Sequence, residues 1–238
     1  MKLSDRLERV ISFAEPAGAA ADIGTDHGYV PVELVRRGVV TRALAMDVRK
    51  GPLNGAAEHI KEAGLSGQIE TRLSDGLSKL KPGEADCVVI AGMGGELMIR
   101  ILSQGRHVWE SVKQWVLSPQ SEIGDVRRWL FENGFLIGRE DMVKEDGKFY
   151  TIMDVSRGNG ALTAGETADD FSYSPYLIGE KHPVFLEYLK QEEKKLAAIC
   201  GNLETMPDRS ERAEESLRGL RKKLEYNQEV QHEMQRDH

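Results

Sequence analysis

The sequence predicts an α/β protein, with a doubly wound, mainly parallel sheet closed by an antiparallel hairpin and followed by a C-terminal helical hairpin. Three observations carry this reading. Short apolar runs alternate with helical patterns up to about residue 157, the order that builds strand–helix–strand units. The first four runs end on glycine or aspartate, residues suited to the turn that leaves a strand. Beyond residue 180, seam residues recur at alternating spacings of four and three, the signature of a coiled coil.

Each element follows from its local pattern. Residues 1–13 place Leu3, Leu7, Val10 and Ile11 between charges, an amphipathic helix without the unbroken apolar core of a signal peptide. Residues 18–24 form an apolar strand ending at Gly24, and a helix over 30–37 stops at Gly38. A second strand, 43–47, ends on Asp47, and a helix over 53–64 follows. The third strand, 68–73, is closed by Asp75-Gly76. The fourth, 85–91, runs into Gly92-Met93-Gly94-Gly95 and a helix over 96–102. A fifth strand lies at 115–118, with a helix over 123–133. Two further strands flank the turn Glu145-Asp146-Gly147-Lys148. Residues 158–179, punctuated by Gly158, Gly160, Gly165 and Pro175, read as a connection. The tail seam then runs Phe185, Leu189, Glu192, Leu196, Ile199, Leu203, breaks at Met206-Pro207-Asp208, and resumes as Ala213, Leu217, Leu220, Leu224, Asn227, Gln231. This describes an antiparallel hairpin, with packing of two separate helices on the main domain as the alternative. Its polar seam residues suggest a loosely held far end. Domains are expected at 1–160 and 161–238.

Composition narrows the function classes. The 238 residues are 40% hydrophobic and 30% charged, with a formal net charge of −7, as suits a soluble globular chain rather than an indiscriminate nucleic-acid binder. Residues 159–238 carry 11 basic and 16 acidic side chains, so most of the acidity belongs to the tail. Cys87 and Cys200 form no metal motif; Cys87 reads as a core thiol, and sparse cysteine fits a reducing, cytoplasmic setting. Trp109, Trp115 and Trp129 read as core. No apolar run reaches the roughly 20 residues that span a membrane.

The chemistry gathers where the strands end. Asp22-Ile23-Gly24-Thr25-Asp26-His27-Gly28 joins the first strand to a helix, where a glycine turn brings backbone N–H groups to a nucleotide. Asp26 stands where a dinucleotide fingerprint has its middle glycine, and a carboxylate facing a pyrophosphate is repulsive. S-Adenosylmethionine fits better, because it carries a sulfonium and an ammonium and no phosphate. Asp22 or Asp26 could attract either charge. Asp47 lies about 20 residues beyond the turn, where an acid accepts ribose hydroxyls, and Asp75 is placed to accept the adenine amine. The Gly92-Met93-Gly94-Gly95 turn implies close backbone approach, to cofactor or to substrate.

Residues 21–31, Ala-Asp-Ile-Gly-Thr-Asp-His-Gly-Tyr-Val-Pro, closely resemble the signature of the TrmK family of bacterial tRNA (adenine(22)-N(1))-methyltransferases. The resemblance continues, in order, through residues 47–52, 74–77, 90–95 and 117–120, although Ser118 stands where the family usually has Gln. It implies a Rossmann-like class I S-adenosylmethionine-dependent methyltransferase domain with a C-terminal coiled-coil hairpin, methylating ring nitrogen 1 of adenine 22 in tRNA. The cofactor residues are then Asp22, Gly24, Thr25, Gly28, Asp47, Asp75, Gly76, Ala91, Gly92 and Met93. On this reading Asp26 accepts from the target amine, Tyr29 walls or stacks on the base, and His27 lines the pocket. Because the target base must leave its stack, Gly94, Gly95, Arg49, Lys50, Arg127 and Arg128 are expected to contact substrate. Arg36-Arg37, Arg42, Lys194-Lys195 and Arg221-Lys222-Lys223 are further phosphate candidates. The expected protein is a monomer that binds tRNA, with no metal and no membrane. From the residues alone, a small-molecule or protein acceptor stays open, with the tail as a dimerisation or lid element.

Overall fold

A computed structural model describes residues 3–158, 171–206 and 210–236. The chain divides into two compact units, Met1–Tyr173 and Ser174–His238. The boundary expected at 160/161 falls outside the described residues, as do Gly160, Gly165, Pro207 and Asp208.

The first unit opens with α1 (Asp5–Phe13), capped by Ser4, whose hydroxyl accepts from the Leu7 N–H at 3.3 Å. There follow β1 (Ala17–Ile23), α2 (Tyr29–Arg36), β2 (Val40–Asp47), α3 (Lys50–Glu62), β3 (Ile69–Leu73), β4 (Cys87–Met93), α4 (Gly95–Gln104), β5 (Gln114–Pro119), α5 (Ile123–Glu132), β6 (Phe135–Glu145) and β7 (Lys148–Arg157). One sheet of order β3-β2-β1-β4-β5-β7-β6 contains them all. Strands β1 to β5 run parallel, and β7 pairs antiparallel with β5 and with β6. Asp146 and Gly147 have φ of 49° and 76°, the left-handed pair that a two-residue hairpin turn requires.

Successive residues of a strand face opposite sides, so a strand buried on both faces feeds two cores. In β4, Val88 and Ile90 join one apolar cluster with Leu102 of α4 and Leu130 of α5. Cys87 and Val89 join the other, with Val10 of α1 and Val32 and Leu34 of α2. Cys87 is thus a core thiol, and burial pushes it up to about 12. Trp115 and Trp109 are buried, and Trp129 packs edge-on against Trp109 at 5.7 Å.

The second unit holds α6 (Pro175–Gly179), α7 (Pro183–Glu204) and α8 (Glu211–Gln235). Pro175 starts a helix instead of breaking the chain, at the first-turn position where its missing N–H costs nothing. Helices α7 and α8 pair antiparallel: Arg221 bonds Glu204, and Asn227 bonds Glu192. Two seam expectations are corrected. Ile199 is 45% exposed, and Cys200 takes the buried place beside it. Asn227 and Gln231 mark no loose end; both are buried and tied into a network. Asn227 donates to Glu192 at 3.2 Å, and Gln231 donates to Asn227 at 2.7 Å and Glu193 at 2.9 Å. Tyr188 and Lys223 also reach Glu192, at 3.1 and 2.8 Å.

Candidate active site

In a doubly wound sheet, ligands bind beyond the C-terminal ends of the strands, where the strand order reverses. Here the chain goes from β1 outward to β2 and β3, then returns to the other side of β1 for β4. A cavity of about 730 Å³ opens at this point, within the range for small-ligand sites. Its wall takes Asp22 to Gly24 and Asp26 from the end of β1, Tyr29 and Val30 from α2, and Asp47, Val48 and Arg49 from the end of β2. Ser74, Asp75 and Gly76 follow β3, Ala91 to Gly94 end β4, and Gln120 follows β5. Helix α1 contributes Arg6 and Leu7, and α4 contributes Leu97, Arg100 and Ile101.

The turn after β1 is set by its backbone. The N–H groups of Gly24 and Thr25 both donate to the Met46 carbonyl, at 2.8 and 2.9 Å. Gly24 has φ of +76°, and a β-carbon there would come within 2.1 Å of Met93 Cε, so no side chain fits. At the head of α4, a β-carbon on Gly95 would lie 2.6 Å from the Ser121 carbonyl. That tight approach explains the glycine.

The predicted residues separate into those that meet and those that do not. Eight of the ten cofactor candidates border the cavity. Thr25 and Gly28 stand behind it, Gly28 as the left-handed cap of α2 packed on Ala56. Asp26 and Tyr29 border it, with the Asp26 side chain 84% exposed. His27 does not. Its ring lies 5.8 Å from Tyr29, and Tyr29 meets His59 edge-on at 4.9 Å. His59 Nδ1 sits 2.9 Å from the His27 carbonyl. Of the substrate candidates, Gly94 and Arg49 line the cavity; Lys50 and Arg128 are exposed outside it, and Gly95 is buried.

Arg127 is a correction. It is buried on Glu140, with Nε 3.0 Å from Oε1 and Nη2 2.7 Å from Oε2, and its Nη1 donates to the Phe171 and Ser172 carbonyls. Four such bonds leave no face for a phosphate. Arg36 and Arg37 are likewise engaged with Glu33 and Glu8. Sequence reading missed Arg6, Arg100, Val48, Leu97 and Gln120, which only the fold brings together.

The electrostatics are acidic and graded by depth. Asp22 is 6% exposed. Burial pushes its carboxyl up to about 7; the Thr25 hydroxyl opposes the shift, and the Asp47 and Asp26 charges add to it. Thr25 Oγ1 meets the strict geometry of no hydrogen bond while acting on Asp22 from nearby. Asp47 is nearly buried and accepts from the Arg49 N–H at 2.7 Å. Val48 is 60% and Leu97 37% exposed, large apolar surfaces that a flat ring would cover. Among the described residues no cluster could hold a metal ion, and no helix is long and apolar enough to cross a membrane.

A glycine turn after β1, acids closing three consecutive strands and a cavity hostile to phosphate define a class I S-adenosylmethionine-dependent methyltransferase. The comparisons with known proteins make this specific. The profile of TrmK, tRNA (adenine(22)-N(1))-methyltransferase, matches residues 20–229. The tRNA (adenine(22)-N(1))-methyltransferase of Bacillus subtilis is 31% identical over 97% of both chains. Its crystal structure superimposes with a TM-score of 0.86 over 97% of this chain and 99% of that one. M. capricolum TrmK, solved with S-adenosylhomocysteine, gives 0.79 at 26% identity, over 94% and 99%. A Streptococcus pneumoniae chain solved with S-adenosyl-L-methionine gives 0.83 at 34% identity, over 97% and 100%. The chain belongs to the TrmK family.

Proposed function

We infer that this chain transfers the methyl group of S-adenosylmethionine to ring nitrogen 1 of adenine 22 in tRNA, within the cavity at the ends of β1 to β4. The observation that carries the reading is the set of carboxylates ordered along the sheet edge of a TrmK-family chain. When bound, S-adenosylmethionine supplies an electrophilic methyl group on a sulfonium.

The residues present suit that cofactor. Asp75 is placed to accept the adenine amine and Asp47 the ribose hydroxyls, with Val48 and Leu97 against the ring. Asp22 lies beneath the Gly24 turn, where a cation draws its proton off. Ring nitrogen 1 of the target adenine has a free lone pair, so no base must remove a proton before it attacks. Positioning and exclusion of water then supply most of the rate. Tyr29, braced by His59, walls the target ring, while His27 holds the turn. Asp26 accepts from the exocyclic amine and offsets the positive charge that the ring gains. The target base is turned out of its stack to reach Asp26, and the exposed Arg49, Lys50 and Arg128 are placed to take flanking phosphates.

The test is methylation of unmodified tRNA with labelled S-adenosylmethionine, mapped by nuclease digestion and mass spectrometry. Label at adenine 22, lost when that base is changed, is expected; label on protein or small molecules alone overturns the reading. Asp26→Ala should slow methyl transfer roughly 10- to 100-fold, the worth of a charge-assisted hydrogen bond. Cofactor affinity measured by calorimetry should hold within twofold. We further propose that the enzyme acts as a monomer, checked by sedimentation. A tRNA substrate places it in the cytoplasm.

A further inference from the structure

S-Adenosylmethionine brings one group that the acidic wall does not suit. Its amino-acid end carries a carboxylate beside the ammonium, and Asp22, Asp26, Asp47 and Asp75 all border the cavity. A carboxylate withdrawn from water among other carboxylates requires a cation or several N–H donors. Three cations border the cavity: Arg6, Arg49 and Arg100.

Two of these stand elsewhere along the ligand. Arg49 is committed to the β2 end: its Nε lies 3.5 Å from Asp47 Oδ1, and its backbone N–H donates to the same oxygen. Arg100 is next to Ile101, whose side chain packs within 3.0 Å of where a β-carbon on Gly76 would be. That places it at the β3 end, beside the adenine acid Asp75. Arg6 arrives from the other side of the sheet, on α1, and reaches the β4 end. Its Nη1 comes within 3.4 Å of where a β-carbon on Gly92 would be, and Gln120 Nε2 within 3.8 Å of the same point.

Arg6 is also prepared for a ligand. Its guanidinium lies over the Tyr150 ring, 5.2 Å from the centroid, so the ring supports one face and leaves the N–H edge open. The Arg6 backbone N–H donates to Glu145 Oε1 at 3.3 Å, tying the first turn of α1 to the β6–β7 hairpin. No carboxylate among the described residues lies within ion-pair distance of the guanidinium, and it makes no other side-chain bond. Along the sheet edge the strand order β3, β2, β1, β4 then matches the order of the ligand: adenine, ribose, sulfonium, amino acid. We propose that Arg6 receives the carboxylate of the cofactor's amino-acid end and so fixes which way the methyl group points. This rests on the S-adenosylmethionine reading of the cavity.

The experiment compares two ligands that differ only at that end. S-Adenosylhomocysteine keeps the amino-acid carboxylate, whereas 5′-methylthioadenosine lacks the amino-acid end. Both are titrated calorimetrically into the full chain and its Arg6→Ala and Arg6→Lys variants, with thermal melts as a folding control. Arg6→Ala should weaken S-adenosylhomocysteine on the order of 10- to 100-fold and leave 5′-methylthioadenosine within twofold. Arg6→Lys should recover part of the loss, because an ammonium pairs with a carboxylate without the two-pronged geometry. Equal weakening of both ligands overturns the proposal. So does unchanged S-adenosylhomocysteine affinity, and a fall in tRNA affinity in that case would assign Arg6 to an RNA phosphate. If the unaltered chain binds neither ligand, the reading of the cavity itself fails, independently of Arg6.

Discussion

The two units of this chain are held together by different chemistry. The sheet domain buries apolar side chains on both faces of its strands, and Ile23, Met46, Ile90 and Leu117 are all 2% exposed or less. Its few buried charges stand alone or in one pair: Asp22 at the cavity and Arg127 with Glu140 beneath α5. The helical hairpin has a thinner apolar seam, in which Asn227, Gln231, Glu192, Tyr188 and Lys223 replace hydrophobic layers with hydrogen bonds. Apolar burial is non-directional and tolerates approximate fits, whereas a polar layer is satisfied in one register only. The sheet domain therefore gains most from burial, and the hairpin gains specificity of pairing.

The contrast can be broken first at Arg127. Arg127→Ala strands Glu140 without its partner in a dry interior and should cost about 3–5 kcal/mol of stability, read by urea unfolding. A mere loss of tRNA affinity with unchanged stability would return Arg127 to the RNA surface. Asp22 comes next, through pH. Its carboxyl is raised to about 7 in the fold from an ordinary value near 3.8. The protonated form is the one the fold favours, so this contribution is complete below about pH 4 and is lost as pH rises through 7. Asp22→Asn should therefore raise the melting temperature relative to the native chain more at pH 8 than at pH 5. The smallest effect is expected in the hairpin. Asn227→Ala leaves Gln231 short of an acceptor and Glu192 short of a donor, a loss of about 1–3 kcal/mol visible as a lower melting temperature. If the substitution is neutral, the layer does not set the register.

The sheet was readable because every central strand announces its end: Gly24, Asp47, Asp75 and Gly92 each follow an apolar run, and a parallel sheet collects such ends on one edge. The cofactor acids were legible for the same reason. Arg127 was not. Its helix neighbours Val126 and Leu130 mark the buried face of α5, but Glu140 sits between Arg139 and Asp141 in β6, and no local pattern singles out the member of that run that turns inward. Arg6 and Arg100 were invisible because they approach one cavity from α1 and α4, elements that pack against different apolar clusters. In the tail, spacing alone chose Ile199 for the seam, and the adjacent Cys200 fits it equally well by hydropathy.

The uncovered side chains of Val48 and Leu97 have a thermodynamic consequence. A ligand ring that displaces water from them lowers the heat capacity of the complex. The enthalpy of cofactor association must then become more favourable on warming, with entropy drifting the opposite way. Affinity would stay comparatively level while its two components exchange places. A cell that warms or cools would thus keep its enzyme charged with cofactor without any change in the contacts that hold it.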